Sequence, residues 1–269
     1  MKPGDFAVPD DISADNIHQK LVTERIGHDF FSYKTVGSTN DVAHKMAAEG
    51  ASDGTVVVAD EQTSGRGRLG RTWASIPGKG LWFSLILKPD LTAHQACLLT
   101  FLASVSVADA LSERYGLNPE LKWPNDILIK NKKLCGILSE AEFDRGMIKF
   151  VILGIGININ HSPGDFHPAL QEQAISVSIL LERQVDRKEL LADILNRFDR
   201  RYSEIMRNGF LPILDEWRSN CPHIGKPVQF ITAGASIEGI FQNLADDGSA
   251  IIRMQDGQLK RIISGDMIV

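Results

Sequence analysis

The run Phe150-Val-Ile-Leu-Gly-Ile-Gly-Ile-Asn-Ile-Asn160 decides how this chain is read. Side chains of a strand point alternately to opposite faces. Val151, Leu153, Ile155, Ile157 and Ile159 therefore share a face that must be core, while Phe150, Ile152, Gly154, Gly156, Asn158 and Asn160 share the other. Two glycines in mid-strand weaken it and pack nothing, so their use is to let something approach the backbone. That something is either a ligand, oriented by Asn158, or a helix packed tightly on the glycines.

Working outward, the pattern is mixed α/β. Phe31 to Val36, Thr55 to Asp60 and Gly80 to Lys88 read as strands. Ser38-Thr39-Asn40-Asp41 opens a short helix, with Ser38 and Asp41 approximating a capping box. Leu98 to Leu111 is apolar but interrupted by Ser104, Ser106 and Asp109, and too short to span a bilayer, so it predicts a buried helix. Leu121 to Glu142 predicts strand, turn and strand, reversing at Lys130-Asn131-Lys132. Asp186 and Glu189 cap an amphipathic helix whose inner stripe includes Leu190, Leu191, Ile194, Phe198, Tyr202 and Ile205, stopping at Gly209; a second short helix runs through Trp217. From Ile224 the style changes to short alternating strands separated by Asp247-Gly248 and Asp256-Gly257, the mark of a small β-barrel. The expected division is a short segment over 1–30 with one helix near Ser13 to Thr23, an α/β domain over 31–222, and a β module over 223–269.

A length of 269 residues suits one large domain plus a small module. A net charge of −5 argues against a general nucleic-acid binder, so any phosphate chemistry must rest on a local cationic cluster. Cys97, Cys135 and Cys221 are odd in number and widely spaced, which predicts neither disulfides nor a structural metal and fits a reducing cytoplasm. Met1 to Ala14 is acidic and contains proline, unlike a signal peptide, and no membrane association is expected.

Three further stretches carry chemistry. Ser64-Gly65-Arg66-Gly67-Arg68-Leu69-Gly70-Arg71 gathers three arginines among three glycines with no acid. Glycine lets backbone amides approach an anion, and arginine offers paired donors to phosphate or carboxylate. The same letters satisfy G-x-G-x-x-G, but the loop runs into Trp73, Ser75, Pro77 and Gly78, which do not open the helix a dinucleotide site needs. The plainer reading is a solvated loop. In Lys122-Trp123-Pro124-Asn125-Asp126 the proline ends a strand and holds Asn125 and Asp126 at the sheet margin. Asp126 is then a candidate magnesium ligand, or simply part of a turn. In Lys133-Leu134-Cys135-Gly136-Ile137-Leu138, strict alternation puts Lys133 on the face opposite Gly136 and Leu138. Lys133 must enter a pocket from the strand end or across a local twist; otherwise it belongs to a charged turn.

The order of these motifs is more specific than any one of them. S-T-N at 38–40, Q-x-x-G-R-G-R-x-G-R-x-W at 62–73, K-W-P-N-D at 122–126, K-L-x-G-I-L at 133–138 and G-I-G-I-N at 154–158 together resemble the biotin protein ligase family, from about residue 30 to the end. The resemblance implies a mixed-sheet catalytic domain like that of class II aminoacyl-tRNA synthetases and biotin–lipoate ligases, plus a C-terminal SH3-like β-barrel. It implies biotin and ATP as substrates, Mg2+, and transfer of biotin to a lysine of a biotin carboxyl carrier protein, as in acetyl-CoA carboxylase. Carried over by position, Ser38, Thr39, Asn40 and Gln62 would meet biotin's ring. Gly65, Arg66, Gly67 and Arg68 would close on its carboxylate and the adenylate phosphate. Trp82 would wall the biotin, Lys133 would contact its carboxyl group, and Gly136, Leu138, Gly154 and Gly156 would line the pocket. Arg68, Arg71, Trp73, Asn125 and Asn158 fall to the nucleotide side. The family also suggests a homodimer formed by side-by-side sheets. Leu69 stands where many members carry another arginine and Cys135 where a small residue is frequent. The short N-terminal segment leaves no room for a winged helix, so DNA binding is not expected.

The chemistry explains the cations. Biotin's carboxylate must attack the α-phosphate of ATP, and two unit charges about 4 Å apart repel by about 4 kcal/mol at an effective dielectric near 20. Arg66, Arg68, Lys133 and a magnesium ion would offset that repulsion. The resulting mixed anhydride hydrolyses readily, so residues 64–71 are expected to be mobile alone and to close over it. The acceptor lysine is mostly protonated at neutral pH, and Asp126 is the candidate to take its proton. Competing readings are a lipoate or other acyl ligase of the same superfamily, and a non-enzymatic regulator or nucleic-acid module using the basic loop.

Overall fold

The computed structural model describes residues 12–232 and 234–268. Expectations for Met1 to Asp11 lie outside the described residues. Seven strands form the main sheet: β1 (Phe30–Val36), β2 (Thr55–Gln62), β3 (Gly80–Leu87), β4 (Glu120–Lys122), β5 (Asp126–Ile129), β6 (Lys132–Asp144) and β7 (Met147–Asn158). Their order is β1-β2-β3-β7-β6-β5-β4, with β1 and β2 parallel and the other neighbours antiparallel. The helices are α1 (Ala14–His18), α2 (Thr39–Ala48), α3 (Ala93–Cys97), α4 (Leu99–Tyr115), α5 (Val177–Leu181), α6 (Arg187–Asn208) and α7 (Leu211–Ser219). A second, antiparallel sheet holds β8 (Pro227–Thr232), β9 (Ala235–Leu244), β10 (Ala250–Arg253), β11 (Leu259–Ile262) and β12 (Asp266–Ile268), in the order β11-β10-β9-β8-β12. The architecture is the mixed α/β sheet plus small C-terminal β unit that the pattern predicted.

The central strand behaves as its alternation requires, with one addition. Val151, Leu153, Ile155 and Ile157 enter the large core together with Val105 and Leu111 of α4 and Leu191 and Phe198 of α6. The opposite face is also closed at its start. There Phe150 and Ile152 pack with Val57 and Ile86 under Ala43 and Ala47 of α2. A fully buried side chain of this size contributes about 1.5–3 kcal/mol, so both clusters pin the register of β7.

Asp186 caps α6, accepting from the backbone N–H groups of Lys188 and Glu189 at 3.0 and 3.4 Å, and Gly209 follows its end. Other local expectations need correction. The N-terminal helix ends at His18, short of Thr23, because the N–H groups of Glu24, Arg25 and Ile26 donate to the buried Asp199 carboxylate at 2.8–3.0 Å. Residues 121–142 make three strands, not two: Trp123-Pro124-Asn125 is itself a reversal, and Lys122 pairs with Asp126 across it. The apolar run is longer than predicted; Ala93 to Tyr115 has the length and composition to cross a bilayer, but most of it is buried as a core helix. Ser38 makes no capping bond, so there is no capping box at α2.

Candidate active site

One register row sets out the site. Ala59 pairs with Trp82, Trp82 with Gly156, Gly156 with Gly136, Gly136 with Asp126, and Asp126 with Lys122. Directly opposed residues share a face. Trp82, the two glycines and Asp126 thus lie along one line across the sheet. The next row on the same face joins Val57, Ser84, Gly154 and Leu138. Trp82 and Gly156, 74 residues apart in sequence, are brought side by side by register alone.

The glycines do let other groups reach the backbone. A Cβ built on Gly154 would collide with the Asn40 side chain, and one on Gly156 would come within 2.8 Å of the Trp73 indole. One on Gly136 would meet the same indole at 2.7 Å. The first turn of α2 and the end of the basic loop therefore lie directly on the floor. The helix reading holds for Gly154, which Asn40 of α2 touches, while Gly136 and Gly156 are covered by the Trp73 indole.

The parity problem at Lys133 is solved by a β-bulge. Ile127 pairs with Cys135, yet Leu128 pairs with Lys133, so one residue of β6 is skipped. Leu134 and Cys135 both turn into the core, and Lys133 returns to the glycine face. Its Cε and Nζ would lie 3.2 and 3.3 Å from a Cβ on Gly136. The ammonium stands 2.6 Å from Asp126 Oδ1 as an ion pair and 5.3 Å from the centre of the Trp73 ring. The backbone of Lys133 is clamped on both sides: its N–H donates to Gln173 O at 2.7 Å, and its carbonyl accepts from Ile175 N–H at 3.0 Å. Asn158 Nδ2 lies 3.4 Å from the same carbonyl.

A polar chain lines the other end of the floor. Gln62 Oε1 accepts from the Thr39 backbone N–H at 2.8 Å and lies 3.1 Å from Thr39 Oγ1, so glutamine caps α2 in place of Ser38. Gln62 Nε2 donates to Ser75 Oγ at 3.0 Å. Ser84 Oγ lies 2.8 Å from Thr39 Oγ1 and 2.7 Å from Asn40 Oδ1, and Asn40 Nδ2 donates to Glu140 Oε2 at 2.6 Å. Ser38, Thr39 and Asn40 are all buried. Ser75, Ser84 and Glu140 are members that sequence reading missed. Ser84 was legible in hindsight from its two-residue spacing after Trp82, and Glu140 from its spacing after Leu138.

The basic loop folds back on itself. Gly67 N–H donates to Arg71 O at 2.7 Å and Trp73 N–H to Gly65 O at 2.8 Å. A Cβ on Gly65 would lie 2.5 Å from Trp73 O, so only glycine fits there. Each arginine has a distinct partner. Arg66 pairs with Asp41 at 2.6 Å and reaches Glu140 at 3.5 Å. Arg68 donates to Asn125 Oδ1 at 3.3 Å and to Gly265 O at 3.1 Å. Arg71 is paired with Asp266, at the start of β12, so its partner lies in the C-terminal sheet and not on the glycine floor. Asn125 is fixed in turn: its Nδ2 donates to Ile137 O at 2.7 Å and its carbonyl accepts from Ile137 N–H at 3.0 Å.

Electrostatics follow this crowding. Burial lowers the Arg68 pKa, against which Asp266 and Asp126 act. Burial lowers Lys122 too; Asp126 opposes the shift and Lys133 adds to it. Burial pushes the Cys135 thiol far up, which leaves it inert as a nucleophile. His161, also missed in the sequence, is buried edge-on to Trp82 at 5.9 Å and stacked on Phe166 at 5.0 Å. Burial lowers its pKa to about 4. No cluster of three His, Cys, Asp or Glu side chains exists among the described residues to cage a metal. Asp126 offers one carboxylate, which suits magnesium that takes its remaining ligands from phosphates and water. A groove of about 660 Å³ on the C-terminal sheet, lined by Val228, Glu238, Arg253 and Met254 among others, includes none of these residues.

A floor of glycine on two neighbouring strands carries Lys133 over Gly136, while Arg66 reaches Glu140 and Arg68 reaches Asn125. Comparison with known proteins gives this site its family. The biotin/lipoate A/B protein ligase family matches residues 32–158, and the biotin protein ligase C-terminal domain matches residues 223–269. The bifunctional ligase/repressor BirA of Bacillus subtilis is 38% identical over 96% of this chain and 79% of its own length. The biotin–[acetyl-CoA-carboxylase] ligase of Paracoccus denitrificans is 34% identical over 82% of this chain and 92% of its own. The structure of Aquifex aeolicus biotin protein ligase in complex with biotin and ATP superposes with a TM-score of 0.76 at 31% identity, covering 90% of this chain and 98% of that one. The chain belongs to the biotin protein ligases.

Proposed function

We propose that this chain is an ATP-dependent biotin protein ligase that makes biotinyl-5'-AMP and pyrophosphate, then passes biotin to a lysine of a biotin carboxyl carrier protein. The observation that supports the reading is Lys133 seated over Gly136, with Arg66 reaching Glu140 and Arg68 bonded to Asn125 on the neighbouring strand and turn. In this account Lys133 leaves Asp126 to hold biotin's carboxylate, and Trp73 with Asn40 gives up the glycine floor to the ligand. Ser38, Thr39, Asn40, Gln62, Trp82 and Leu138 bound the biotin end, while Arg71, Asn125 and Asn158 lie toward the nucleotide. Arg66 and Arg68 screen the two anions as a carboxylate oxygen attacks the α-phosphorus and pyrophosphate departs. Each charge-assisted bond contributes about 1.5–3 kcal/mol, enough in pairs to offset repulsion of about 4 kcal/mol. In the transfer step the lysine amine attacks the acyl carbon, AMP leaves, and Asp126 accepts the amine's proton. A magnesium ion bound by Asp126 and substrate phosphates would add further positive charge at the transferring group.

The structural division we adopt is 31–222 for catalysis and 223–269 for the C-terminal unit. A cytoplasmic location, the absence of DNA binding and a sheet-to-sheet homodimer complete the proposal. The test is exchange of labelled pyrophosphate into ATP, supplied in turn with biotin, lipoate and octanoate. Exchange that depends on biotin supports the reading; exchange that prefers lipoate or octanoate makes the chain a different acyl ligase.

A further inference from the structure

Two of the loop's guanidinium groups are held by the C-terminal sheet unit. Arg68 Nη2 donates to Gly265 O at 3.1 Å, and Arg71 pairs with the Asp266 carboxylate. These acceptors are built in. Gly265 has φ +143°, and a Cβ there would come within 2.5 Å of Ile231 O, so its backbone path admits glycine alone. Asp266 is anchored by pairing of β12 with Ile231 of β8, and its side chain is only 18% exposed. The unit is also fastened independently to the turn that carries Asn125 and Asp126. Trp123 Nε1 donates to Gly248 O at 2.9 Å, and the Trp123 ring packs edge-on against Phe230 at 5.3 Å. The acceptors for Arg68 and Arg71 therefore sit at a fixed place relative to Asp126 and Lys133.

We infer that Asp266 is a positioning residue, a latch through which the C-terminal unit holds residues 64–72 closed over the glycine floor and retains the reactive adenylate. This rests on the proposed ligase reading. An ion pair to a mostly exposed arginine is individually weak, so the latch can open to admit substrates and close again once they are bound.

The test is hydrogen–deuterium exchange of peptides spanning 64–72, with biotinyl-5'-AMP release followed in parallel. Asp266→Asn is expected to speed loop exchange in the ligand-free protein by about 3- to 10-fold and to raise adenylate leakage by a similar factor, leaving exchange in α4 and α6 unchanged. Asp266→Glu should restore most of the protection. The charge-swapped pair Arg71→Asp with Asp266→Arg should protect better than either single change. Should Asp266→Asn misfold, Arg71→Gln removes the same pair from the exposed side. Loop exchange unaltered by both Asp266→Asn and Arg71→Gln would overturn the inference. Because that readout needs no substrate, it is independent of whether pyrophosphate exchange proves to depend on biotin.

Discussion

The two faces of β7 use the same backbone for opposite ends. On one, Val151, Leu153, Ile155 and Ile157 drive branched side chains into α4 and α6. On the other, Gly154 and Gly156 remove side chains altogether, and Asn40 and Trp73 rest on the backbone. The apolar face sets where the strand lies. The bare face, held in place by the first, sets what can approach. Stability and recognition are therefore separable at adjacent residues, and substitutions should sort by face.

The largest effect is expected on the packed face. Leu153→Ala should lower unfolding free energy by about 2–5 kcal/mol, measured by urea denaturation, while the folded fraction keeps its KM for biotin. Loss of biotin affinity without loss of stability would break the separation. Acid should act from the cleft side, through His161. Its folded pKa, about 4, is below the ordinary 6.5, so between those values the unfolded chain binds a proton that the native state refuses. Stability from this group is thus intact above pH 6.5 and falls as pH drops toward 4, by about 3 kcal/mol in total. Urea midpoints at pH 6.5 and 4.5 should show a shallower drop for His161→Gln than for the parent. On the glycine face, Gly156→Val should reduce biotin-dependent pyrophosphate exchange about 100-fold, because the Trp73 indole and any ligand are displaced from the floor. The melting temperature should move far less than for Leu153→Ala. The smallest effect belongs to a residue remote from both faces: Asp186→Ala removes the cap of α6 and should cost about 1 kcal/mol, with exchange activity unaffected.

Much of this was legible because it rests on local periodicity. The alternation over 150–160 assigned both faces of β7, and the cap and stripe of α6 followed from Asp186 to Gly209. What escaped was long-range. Lys133 reaches the floor only because Leu134 bulges, and a bulge depends on pairing with β5 that one strand's letters do not display. Gln62 caps α2 across 23 residues, so Ser38 looked like the cap when it was not. Trp73 covers two glycines on two strands, and Asp266 meets Arg71 from 195 residues away. Neither contact leaves a mark at sequence-neighbour spacing.

The central claim is that Lys133 recognises a negative charge at the glycine floor. Calorimetric titration of the parent and of Lys133→Met with biotin and with its uncharged methyl ester isolates that charge. Lys133→Met should weaken biotin binding by about 10- to 100-fold while changing methyl ester binding by less than about 3-fold, as expected for one lost charge-assisted bond. Equal weakening of both ligands would contradict the account, since the lysine would then be shaping the pocket and not reading the carboxylate.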